Sequence, residues 1–266
     1  MLRSMFAGVS GLRAHQTMMD VVGNNIANVN TTGYKSSRVT FQEALTQVVR
    51  GGTGAVAGVA GGINPMQLGL GARMASVDGV FSQGATQVTG RATDLAIQGE
   101  GFFVVSTPDG PRYTRAGAFA FDAAGNLVGP AGELVVGTDG NPVQVADLQS
   151  YVDVAIDARG RIMGRDVAGQ EVELGQIAVA RFANPGGLER IGGTLFAATA
   201  NSGAAQVGEP GTDGRGSLQA GTLEMSNVDL AQEFTNLILA QRGFQANART
   251  ITASDEMLQD LVNLKR

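Results

Sequence analysis

From Leu230 onward the chain sets Leu230, Phe234, Leu237, Gln241, Phe244, Ala248, Ile251, Asp255, Leu258 and Val262 at alternating steps of four and three. A track of this kind confines the segment to one long helix with a seam that another helix must cover. Ser226 or Asn227 is expected to cap its start. Asp229 and Glu233 fall in the early turns, and Lys265 and Arg266 stand at the end, each with the sign that suits the helix dipole. At the other end of the chain Leu2, Met5, Val9, Leu12, Met19, Val22, Ile26 and Val29 also recur at helical spacing. Gly8, Gly11 and Gly23 each weaken that helix by about 1 kcal/mol relative to alanine, so it needs a partner surface. The economical arrangement pairs the two ends as a coiled coil.

Between the ends the period changes. FFVVS (102–106), ELVV (133–136), VDVAI (152–156), EVEL (171–174) and QIAVARF (176–182) are short and rich in β-branched or aromatic residues. Asp109-Gly110, Gly125-Asn126, Asp139-Gly140 and Arg159-Gly160 punctuate them as turns. The expected fold is therefore mainly β with long terminal α-helices and a central all-β domain. Its expected divisions are residues 1–32 with 226–266 as a helical core, 33–75 as a connecting Gly-rich segment and 76–225 as an outer β-rich domain. GGTGAVAGVAGG (51–62) marks the connector as flexible.

Charge and composition exclude several functions. Residues 1–50 hold five basic and two acidic groups, whereas 51–225 hold ten and seventeen. No basic cluster appears, which argues against nucleic acid as a partner. Without cysteine there is no disulfide or thiolate metal site. No apolar run approaches 18 residues, so membrane insertion is not expected. Arg13 and His15 interrupt the apolar character of the start, so a cleaved secretory signal is not expected either. His15 is the only histidine, which removes His-based triads and metal sites. GLGAR (69–73) and GEGFF (99–103) fit neither phosphate-binding fingerprint. The pairs Asp153/Asp157 and Glu171/Glu173 read better as surface carboxylates than as a glycosidase pair. No catalytic residue, cofactor or metal is expected.

One stretch resists all these readings. NNIANVNTTGYKSSRVTF (24–41) packs four asparagines into seven residues and then turns through Thr-Thr-Gly. Together with MLRSMFAGVSGL, TDLAIQGEGFFVV (93–105), YTRAGAFAFDAAGNLV (113–128) and the whole of 226–266, it resembles the bacterial flagellar rod and hook protein family. The likeness runs in order along most of the chain and is thinnest over 51–65 and 137–170. LRSMFAGVSGL, LEMSNVDLAQEFTN, AQRGFQANARTIT and LVNLKR are nearer the short-form hook branch than the distal-rod branch, which typically carries an R-A-Y-E-like segment at Arg242-Gly243-Phe244-Gln245.

The resemblance implies a helical homopolymer, with the paired ends forming the inner core of a tube and the β domain outside. It further implies the flagellar rod, hook cap, hook–filament junction proteins and type III export apparatus as partners, and export without a cleaved signal peptide to an extracellular hook or basal body. Leu2, Met5, Val9, Leu12, Met19, Val22, Ile26, Val29, Leu230, Phe234, Leu237, Phe244, Ile251, Leu258 and Val262 would then be assembly residues. Asn24, Asn25 and Asn28 would face a channel or a neighbouring subunit, since amides supply donors and acceptors without fixed charge. Gly33 and Tyr34 would mark the helix exit.

Overall fold

The computed structural model describes residues 2–54, 61–145, 150–166 and 169–264. The side chain of Leu2, the centre of the Gly-rich run and the basic pair Lys265 and Arg266 lie outside the described part. The chain is mostly β with a helix at each end, and it divides into two compact units. One comprises residues 1–27, 37–78 and 229–266; the other comprises 28–36 and 79–228.

In the helical unit α1 (Leu2–Ala27) and α2 (Leu230–Asn263) pack along one another. They run antiparallel: Ser4 lies beside Ser254 at 3.4 Å, Gly8 opposite Ile251, Gly11 opposite Asn247, and Asn25 beside Glu233 at 3.1 Å. The cap of α2 is Asp229, not Ser226 or Asn227. Its Oδ1 accepts from Ala231 N at 2.9 Å and Gln232 N at 3.3 Å, satisfying two of the free amides at the helix start. Helix α1 stops at Ala27, so Val29 belongs to the turn beyond it and Gly33 is not the residue that ends it.

The segment expected as a bare connector carries four strands. Ser37–Glu43 pairs with Ala72–Gly79. Thr46–Arg50 pairs antiparallel with Met66–Gly69, with Thr46 opposite Gly69. In this second ladder Val48, Val49, Met66 and Leu68 are exposed.

The β unit is built on a nine-stranded sheet in which the described pairings are all antiparallel. Its central strand, Phe102–Thr107, is buried on both faces. Phe103 and Val105 point into a core with Leu95, Ile97, Phe119 and Ile177. Phe102 and Val104 point into a second one with Tyr113, Phe182 and Phe196. That explains an unbroken apolar run where a one-sided strand would alternate. The facing run 177–180 alternates by size instead: Ile177 and Val179 enter the first core, Ala178 and Ala180 the second. Small residues are needed there because Phe102, Tyr113 and Phe182 already fill the space edge to face, with centroids 4.7 to 5.8 Å apart.

A three-stranded antiparallel meander (Tyr151–Ile156, Arg161–Asp166, Glu171–Gln176) carries the acidic pairs. Asp157 is a turn residue whose Oδ1 accepts from Arg159 N and Arg161 N, both at 2.9 Å.

Candidate assembly surfaces

The helix pair has an inner seam and an outer stripe, and the expected track divides between them. Leu237, Phe244, Ile251 and Leu258, seven residues apart, are half-buried. The positions between them on the same face are Glu233, Ala240, Asn247 and Ser254, half-buried or buried. Apolar knobs thus alternate with small or polar residues. Leu230, Phe234 and Ile238, one turn apart each, leave this face and are exposed, Phe234 by 50%. Val262 is 68% exposed because α2 continues past the start of α1.

On α1, Val22 is buried, Met5, Leu12, Met19 and Ile26 are half-buried, and Val9 and Phe6 face outward, Phe6 by 71%. Two of the three glycines that weaken α1, Gly8 and Gly11, are notches. A Cβ on Gly8 would stand 3.1 Å from Ile251, and one on Gly11 would stand 2.7 Å from Asn247. The reverse notch is Gly243 on α2, which receives the His15 ring. His15 is thereby a packing residue, with Phe41 at 6.5 Å. Gly23 faces open space.

The asparagines separate in the same way. Asn25 is buried within the helical unit, where Nδ2 donates to Ser37 O (2.8 Å) and Glu233 Oε1 while Oδ1 accepts from Ser37 N (2.9 Å). Its amide ties the end of α1 to residue 37 and to α2. Asn28 Oδ1 accepts from Thr31 Oγ1 at 3.0 Å, closing the turn after α1, and Asn24 is exposed.

In the β unit, a buried charge cluster lies where no site was expected. Glu224 Oε1 accepts from Lys35 Nζ at 2.5 Å and Gly84 N at 2.9 Å; its Oε2 accepts from Arg115 Nη1 at 3.2 Å. Lys35 Nζ also donates to Ser82 O (2.8 Å), and Arg115 Nη2 to Gly99 O (2.6 Å). All three side chains are almost fully buried. Burial pushes Lys35 and Arg115 below their ordinary pKa values, and Glu224 offsets this only in part. One carboxylate serves two cations, and the Phe102 ring, 5.5 Å from the Arg115 guanidinium, provides a further favourable face. The signal was present in GYK, YTRAG and LEMSN, each a lone charge among small or apolar residues.

Gly33 and Tyr34 sit beside this cluster. Gly33 adopts a left-handed φ of 68°, its N–H donates to Glu224 O at 2.8 Å, and a Cβ there would strike Ala116 N. Tyr34 is buried with the Arg190 guanidinium 5.3 Å from its ring. Among the described residues no group of three or more His, Asp or Glu is placed to hold a metal, and no helix is long and apolar enough to cross a membrane.

Comparison with known proteins returns three family matches in chain order. They are the flagella basal body rod protein family over residues 5–35, the flagellar hook protein FlgE/F/G D1 domain over 96–164, and the flagellar basal body rod FlgEFG protein C-terminal region over 219–264. The flagellar basal-body rod protein FlgG of Bacillus subtilis is 48% identical over 268 residues, covering all of both chains. The protein of the same name from Borreliella burgdorferi is 39% identical over 273 residues, again over all of both. The flagellar hook protein FlgE of Borreliella burgdorferi is 31% identical over an alignment of 442 residues that covers all of both chains.

Proposed function

Because the chain belongs to the flagellar rod and hook protein family, we propose that it is a rod subunit of the basal body that polymerises through its helix pair. The single observation that carries the rod reading is length. Relatives named as rod proteins align over 268 and 273 residues with both chains fully covered, whereas those named as hook proteins need alignments of 442 and 464. In this reading the seam of α1 and α2 is internal to each subunit. Leu230, Phe234 and Ile238 on one helix, with Phe6 and Val9 on the other, bury against further copies. The helices then form a coiled-coil core, and the β units form the outer wall. The partners are other copies and the neighbouring flagellar subunits, reached through the flagellar export apparatus without a cleaved signal.

A second reading, the short-form hook, draws support from Arg242-Gly243-Phe244-Gln245. Gly243 accommodates the His15 ring, and the alanine of an R-A-Y-E-like segment would close that notch. The hook cap and the hook–filament junction proteins are partners under that reading. Electron microscopy of basal bodies from a deletion strain decides between the two. Loss of the distal rod is the result expected. A complete rod without a hook transfers the assignment to the hook, and intact flagella remove both.

A further inference from the structure

We infer that residues 31–36 form a strap held in a binding site that belongs to the β unit and stays occupied whether or not the two helices are paired. Every residue from Gly33 to Ser36 is held by groups within 79–228. The site admits only glycine at its first position, because of the left-handed backbone and the contact a Cβ would make with Ala116. It buries the Tyr34 ring beneath Arg190 and the Lys35 ammonium against Glu224 and Ser82 O. Arg190 Nη2 donates to Lys35 O and, at 3.3 Å, to Ser36 O, which also accepts from Val80 N at 2.8 Å. Asn227 closes the site: its Oδ1 accepts from Ser36 N at 2.7 Å and its Nδ2 donates to Val80 O at 2.8 Å. The ligand is thus a Gly-aromatic-Lys-Ser peptide entered through a left-handed turn at Gly33, supplied by the chain itself.

Asn227 gathers three stretches that leave the β unit: the strap, the run at Val80, and the lead into α2. Holding them removes most of the loop-closure entropy that separates residues 36 and 227 in the sequence. The end of α1 and the start of α2 are then brought together before any helix contact forms.

Residue-resolved hydrogen exchange of the full chain in increasing urea tests the site. The amides of Gly33 and Ser36 are expected to open together with Val136, a core amide bonded to Val104 O, after the amides of α1 and α2 have opened. Opening of Gly33 and Ser36 in step with α1 overturns the proposal. Asn227→Ala is expected to speed exchange at Ser36 by about tenfold while Val136 is unchanged; an unchanged Ser36 overturns it. Arg190→Met, which leaves Asn227 in place, is expected to accelerate Gly33 and Ser36 in the same selective way. No selective effect from either variant overturns the site.

Discussion

Glu224 carries one negative charge between two buried cations, and this imbalance makes its neighbours unequal. Glu224→Gln leaves Lys35 and Arg115 facing each other without an anion, a loss of about 3–5 kcal/mol. Lys35→Met leaves a neutral Arg115–Glu224 pair and is expected to cost less than half as much. Urea midpoints of the two variants measure the difference. The same lysine sets a pH dependence. Its folded pKa lies below 10.5, so stability rises as pH climbs through the lowered value and levels off above 10.5. The Lys35→Met chain should lack this rise when compared with the parent across the same range. At the acid end, burial works to raise the Asp157 pKa, but hydrogen bonds from Arg161 and Arg159 outweigh it and hold the carboxyl below 3.8. Its contribution is present above that value and fades as pH falls through the lowered one. Asp157→Asn should therefore flatten the acid limb of a Tm–pH curve.

At the scale of the elements, the inner and outer faces of α2 call for different outcomes from similar substitutions. Ile251→Asp places a charge opposite Gly8 in the seam, at a cost of several kcal/mol, and should abolish helix pairing as seen by circular dichroism. Phe234→Asp changes an exposed residue, so helix content should be retained while polymer is lost in sedimentation. If Phe234→Asp also removed helix content, the outer stripe would have to be packed within the subunit. Periodicity made both helices legible, together with the β character of the middle and strands such as 102–107 and 171–176. It could not choose between two apolar tracks separated by a partial turn, because Phe234 looks a better seam residue than Glu233 or Ala240. The true seam depends on glycine notches in the partner helix, which a single-helix pattern does not contain. The strands of 37–79 are not legible in the sequence because they form ladders with exposed faces and lack the alternation that a covering layer imposes. Lys35, Arg115 and Glu224 are far apart in the chain, and only the fold brings them into contact.

For the molecule as a whole, charge follows the division into units. The β unit holds sixteen acidic and ten basic groups, the helical unit eight and nine. Packed side by side in a polymer, β units repel one another over a screening distance of about 8–10 Å at physiological salt. The critical concentration for polymerisation should fall as ionic strength rises from about 10 to 150 mM, which light scattering reads directly. A critical concentration independent of salt would exclude repulsion as the limiting term. The excursion of residues 28–36 into the β unit has a mechanical meaning as well. The backbone passes between the two units after residues 27, 36, 78 and 228, so they are joined by four covalent strands rather than one. A single tether is a swivel and lets its load spin; four tethers share a tensile force and wind against one another when twisted. A twist applied at the helices would therefore be carried to the β unit by four backbone connections rather than one.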